Sequence, residues 1–209
     1  MLKQEKHKIL TISMLIGAAL AILLSFFSSY AEFSKQCRSV KGEVLRLHIL
    51  AHSDSEEDQQ LKYDLRDFLL EQMKDIFISA ENLEQAIKIA EANLHLIKET
   101  SQEFIYSQGF EYQVEVDITN IYFTTRVYEN ITMPAGNYAA LEIRIGSGEG
   151  RNWWCVAFPP LCLPAASNRS RQAAAEAYFT PEVSRVITQN GGRPEVRFAL
   201  YEWFQGRFK

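Results

Sequence analysis

The 209-residue sequence has no stripe of clustered lysines or arginines, and its net charge is −4. Nucleic-acid binding needs a basic face to neutralise phosphates, so that function is set aside. No internal repeat and no low-complexity linker is visible, and the length suits one domain of ordinary size with a short extra segment. The glycine-rich stretch Gly146-Ser147-Gly148-Glu149-Gly150 lacks the Lys-Ser/Thr that makes such a loop a phosphate cradle. Cysteine is scarce. Cys37 stands alone, while Cys155 and Cys162 lie close together with no histidine beside them, which is not the usual zinc spacing. No metal and no cofactor is expected.

Long apolar runs are also scarce, and one stands out. Ile9–Phe27 carries no charge and follows Lys3, Lys6 and Lys8. At about 1.5 Å per residue a helix of this run comes close to the thickness of a hydrocarbon core. Ser29-Tyr30-Ala31 places small residues where a signal peptidase reads. Residues 1–31 therefore read as a signal peptide or a membrane anchor, with membrane contact through 9–31, and both fates stay open. The lysines before the run put that end in the cytoplasm and send the rest outward. The three lysines leave with this segment against one acid, Glu5, so the exported part is more acidic than the whole chain. In an oxidising compartment Cys155 and Cys162 can form a local disulfide, the alternative being two buried thiols.

Residues 32–42 read as a short linker and 43–209 as a single exported domain. Glu43–Leu50 is apolar enough for a strand with a buried face. Ser53-Asp54-Ser55-Glu56-Glu57-Asp58 carries the Ser-x-x-acid signature of a helix start, which explains its acids better than calcium binding does. Leu61, Leu65, Phe68, Leu69, Ile76 and Phe77 then recur at helical spacing. A second helix is predicted from Asn82, with Leu83, Ala86, Ile87, Ala90, Leu94 and Ile97 on one stripe and Gly109 as its stop. Gln113–Phe123 alternates as a half-buried strand, Pro134–Asn137 is a turn, and Tyr138–Ile145 is a strand. Gly146–Gly150 reads as a hairpin connection to Trp153–Phe158. Pro194–Phe204 reads as a further strand, Arg171–Phe179 as a short helix, and residues 164–193 receive no function. The fold class is α+β: a mostly antiparallel sheet with two helices packed on one face, preceded by the N-terminal helix.

Catalytic chemistry finds little support. His48 and His52 are four apart, yet His48 lies in a predicted strand and His52 in the turn after it, so they share no helical face. Cys155 sits in a strand after two tryptophans, a poor setting for an activated thiolate. A cysteine hydrolase acting outside the cytoplasm, on cell wall, is the second reading. The stretch best suited to a partner is Trp153-Trp154 with Phe158, Pro159, Pro160 and Leu161. Adjacent strand residues face opposite ways, so either one tryptophan is left outward or the C-terminal segment buries both.

Two stretches resemble the family of stage II sporulation protein R. The first is Leu45–Ser55 with Asp58-Gln59 and Leu61-Lys62. The second runs from Pro134–Leu141 through Gly146–Cys162, with its tryptophan pair, cysteine, proline pair and second cysteine. The resemblance covers roughly residues 9–162 and departs at His52, where an asparagine is expected, and at Leu163-Pro164. It implies a signalling protein of endospore formation, exported across the forespore inner membrane, that triggers a membrane-embedded aspartic protease. That protease removes the pro-segment of sigma-E. It implies action by contact, with no catalytic residues to carry over and no enzyme activity.

Overall fold

The computed structural model describes residues 2–73, 76–77, 79–128, 131–159 and 179–188. Helix α1 spans Leu2–Lys41, and it is long and apolar enough to cross a membrane. Its most apolar stretch is not buried at all, with Ile9, Leu15, Leu24 and Phe27 open to the surroundings. The expected linker 32–42 is helical through Lys41. No glycine or proline falls within 32–41, and Cys37 and Val40 bury themselves against the domain. The helix stops at Gly42, whose N–H turns back to the carbonyls of Ser39 and Arg38.

Strand β1 (Leu45–Leu50) follows, then α2 (Glu56–Met73). Ser55 caps α2, its Oγ accepting from the Asp58 N–H at 3.2 Å, and Glu56, Glu57 and Asp58 lie at the positive end of the helix dipole. The second predicted helix is two. α3 (Leu83–Ala92) opens on an Asn82 cap, and α4 (Leu94–Ser107) restarts after Asn93. The Asn93 side chain donates to the Ile89 carbonyl at 2.7 Å, a local bond that competes with continued helix. Past α4, Gly109 has φ +85°, with Gly109 N–H on Tyr106 O and Phe110 N–H on Ile105 O. This closure needs a left-handed residue, which glycine adopts freely.

Strand β2 (Val114–Phe123) leads to two short strands, β3 (Arg126–Tyr128) and β4 (Ile131–Met133), then β5 (Gly136–Ile145), β6 (Asn152–Phe158) and α5 (Pro181–Thr188). The main sheet has the order β2-β5-β1-β6, with β3 and β4 paired apart from it. β1 runs parallel to β5 and antiparallel to β6, and β2 is antiparallel to β5, so the sheet is mostly antiparallel.

The glycine-rich stretch is not a hairpin. β5 and β6 do not pair, because β1 lies between them. β1 is buried on both faces, Leu45, Leu47 and Ile49 on one and Arg46 and His48 on the other, as suits a central strand. Residues 146–150 instead cross the end of β1, with Glu149 N–H on His52 O and Gly150 N–H on Ala51 O. A Cβ at Gly150 would collide with the Ser53 carbonyl, so glycine is required by close approach.

One sheet face packs on α2, α3 and α4 through Leu45, Leu47, Ile49, Leu141, Ile143 and Ile145. The other face is also partly covered, by the end of α1, by β4 and by α5, around Val44, Phe123, Tyr138, Ala140 and Val156. The strand expected at Pro194–Phe204, the helix expected at Arg171–Phe179 apart from its last residue, and most of residues 164–193 lie outside the described residues.

Candidate functional site

The two stretches that carried the resemblance meet in space. β1 is sandwiched between β5 and β6, and the loops beyond them interlock. Asp54 Oδ1 accepts from the Arg151 N–H at 2.7 Å, and Gln59 Nε2 donates to the Ser53 carbonyl at 2.9 Å. Lys62 is buried and donates to Gln59 Oε1 at 2.6 Å and to the Arg151 carbonyl at 2.8 Å. Burial lowers the Lys62 pKa, with the Arg151 charge adding to the effect. Burial pushes the Asp58 carboxyl up, yet hydrogen bonds from Ser53, Tyr112 and Ser55 outweigh it and hold the pKa low. His52 stacks on Tyr112 and accepts the Ser147 N–H on Nδ1 at 3.0 Å. These polar side chains bind one another, and they lock the crossing loop to the start of α2.

The second sheet face is different in chemistry. The register puts Asp117, Glu142, His48 and Trp154 in one row across the strands, and Thr119, Ala140, Arg46 and Val156 in the next. His48 lies 4.0 Å above Trp154, nearly parallel to it, and its Nδ1 is 3.1 Å from Glu142 Oε2. Burial lowers the His48 pKa, opposed by the hydrogen bond and charge of Glu142. Arg46 is 0% exposed. Its guanidinium sits 4.4 Å from the Phe123 ring centre, 5.3 Å from that of Tyr138 and 5.7 Å from that of Tyr128. Nη2 donates to the Tyr128 hydroxyl at 2.7 Å, and that hydroxyl donates to the Trp154 carbonyl at 3.0 Å. Burial lowers the Arg46 pKa, and the neighbouring Arg126 charge works in the same direction.

Trp153 and Trp154 do point to opposite faces, and each is half-buried. Trp153 lies on the helix side, its ring under Arg66 at 4.4 Å and edge-on to Tyr63. Trp154 lies on the second face with His48, Phe123 and Arg126. Phe158 is 3% exposed and packs near Phe77, and Pro159 is buried. The strand's end runs into the core, which the tryptophan pair alone does not reveal. Pro160 and Leu161 lie outside the described residues. Cys155 is engaged in a disulfide and Cys37 is a buried free thiol, while Cys162 lies outside the described residues. Sequence reasoning missed Arg46 and Arg126 as members of a site. A charged residue inside the apolar strand Leu45–Leu50 was the available signal.

The described residues form an α+β fold whose first helix has the length and composition of a signal sequence or membrane anchor. The chain belongs to the Stage II sporulation protein R family, whose sequence model matches residues 41–168. It is 33% identical over 186 residues to Stage II sporulation protein R of Bacillus subtilis (strain 168), covering 81% of this chain and 83% of the relative. No solved structure matches it.

Proposed function

We propose that this chain is an intercompartmental signal of endospore formation, exported across the forespore inner membrane, whose domain binds and activates a membrane-embedded aspartic protease that processes pro-sigma-E. Family membership supports the sporulation setting. The observation that carries the reading is the uncovered apolar helix running without a break into a folded domain. A surface of that kind needs a membrane or a translocation channel, and the domain then stands beside it. Action is by contact. Cys155, the nucleophile of the hydrolase reading, is tied up in a disulfide and has no thiolate to offer.

The test is reconstitution in a heterologous bacterium that makes the protease and pro-sigma-E. The full chain should produce processed sigma-E, and a chain lacking residues 2–31 should not. Processing that is equal with and without residues 2–31 would remove the export step. No processing with the full chain would remove the activator role.

A further inference from the structure

We infer that the open edge of β2 takes up an extended segment of a protein partner as an added strand, one that carries basic side chains against Asp117 and Glu115. This rests on reading the chain as a contact signal, and it names the chemistry of that contact. β2 is an outer strand of the main sheet, and its ten residues pair with β5 in unbroken register. The Gly146 N–H donates to the Gln113 carbonyl at 2.8 Å. The odd-numbered residues of β2 therefore turn their backbone groups toward β5, and the even-numbered ones turn them outward. At the start of the strand, α4 already meets that outward row. Gln102 Nε2 donates to the Tyr112 carbonyl and Gln102 Oε1 accepts from the Val114 N–H, both at 2.8 Å, as a neighbouring strand would. Beyond this cap, no strand among the described residues pairs with the outward groups of Val116, Ile118, Asn120 and Tyr122. An open row of this kind is a template for another chain.

The side chains along the edge say what fits it. Asn120 is exposed, Tyr122 is 60% exposed, and Ile118, Thr119 and Ile121 are half-buried, so an arriving chain can reach the row. Ile118 packs against the core under the helices and Ile121 against the residues on the second sheet face. Each face thus offers an apolar shoulder to β-branched residues of an added strand. The other half of the edge is acidic. Arg144 is bound by Glu115 at 2.6 Å and by Glu142 at 2.7 Å, and Asp117, exposed beside them, is left without an ion pair among the described residues. Two copies of β2 side by side would bring more acid to this acid. Lysine or arginine at alternate positions of a partner strand would instead meet Asp117 and Glu115, which share one face.

The experiment follows amide hydrogen exchange by NMR on the full chain in lipid nanodiscs, titrated with the blocked peptide acetyl-Val-Thr-Val-Thr-Val-Lys-Val-Lys-amide. Its controls are a twin with glutamate for both lysines and a twin N-methylated along its backbone. Without peptide, the outward amides of Val116, Ile118, Asn120 and Tyr122 should exchange fast, and the lysine peptide should slow them about tenfold. Asp117→Asn should weaken that binding about fivefold. Asn120→Pro removes an outward N–H that an edge strand can spare, and it should abolish binding with an unchanged urea midpoint. If Asn120→Pro does not fold, the Asp117→Asn and N-methylated arms decide alone. No slowing, equal slowing with either twin, or outward amides already protected without peptide by a second copy or by the chain itself, overturns the inference. In the reconstituted processing assay, Asn120→Pro should lower activation about tenfold, while Asn120→Ala, which keeps the N–H, should not. Full activation by a folded Asn120→Pro, with the wild type active, overturns the inference and leaves the activator role standing. A wild type that fails to activate overturns the activator role, and the peptide titration then decides the edge by itself.

Discussion

The two faces of the four-stranded sheet come from the same strands and are built for different ends. Toward α2, α3 and α4 the strands present Leu45, Leu47, Ile49, Leu141, Ile143 and Ile145, all fully buried. On the reverse, the same strands present Arg46, His48, Glu142 and Trp154 among rings, with polar atoms left unpaired. The first face is apolar packing that stabilises the fold. The second buries charged and polar groups, which costs more than apolar packing wherever they are not fully paired.

The sharpest way to break this contrast is to cut into the helix face. Leu65 is fully buried in α2, so Leu65→Ala should lower unfolding stability by about 2 to 5 kcal/mol in a urea titration. An unchanged midpoint would show that this face is not the core. Next comes the crossing loop. Gly150→Ala must displace the Ser53 carbonyl and should cost about 1 to 3 kcal/mol, read by thermal unfolding.

The second face should answer to pH. Burial lowers the His48 pKa below its unfolded value, so the unfolded chain takes up a proton more readily than the folded one. The contribution of neutral His48 is therefore fully present above the unfolded pKa of about 6.5 and is lost as pH falls below it. Urea midpoints at pH 7.5 and 5.5 should differ more for the wild type than for His48→Gln, by less than about 1.4 kcal/mol per pH unit. Equal pH dependence in the two would mean that His48 is not the sensitive group.

The smallest expected effect is the most telling. Arg46→Met removes a buried charge, and the Tyr128 hydroxyl still has the Trp154 carbonyl to donate to. Methionine fits a ring-lined space, so stability should stay within about 1 kcal/mol of the wild type or rise. A loss as large as that of Leu65→Ala would make Arg46 a structural residue and erase the difference between the faces.

Periodicity and local chemistry were enough to read α1, the Ser-capped start of α2, the alternation of β2 and the stop at Gly109, because each is decided within a few neighbouring residues. The opposite outlook of Trp153 and Trp154 was legible for the same reason, since strand side chains alternate. Other features needed the folded chain. The split at Asn93 depends on one side-chain bond, and the linker became helix because Cys37 and Val40 found a core to enter. That β1 enters between β5 and β6, turning an apparent hairpin into a crossing, is a pairing between strands far apart in the chain. The same insertion buries Phe158 and gathers Arg46, His48, Glu142 and Trp154 from three strands onto one face. Sequence spacing encodes what lies within a turn or a strand, whereas pairing between strands far apart in the chain is settled only when their buried surfaces compete for the same core.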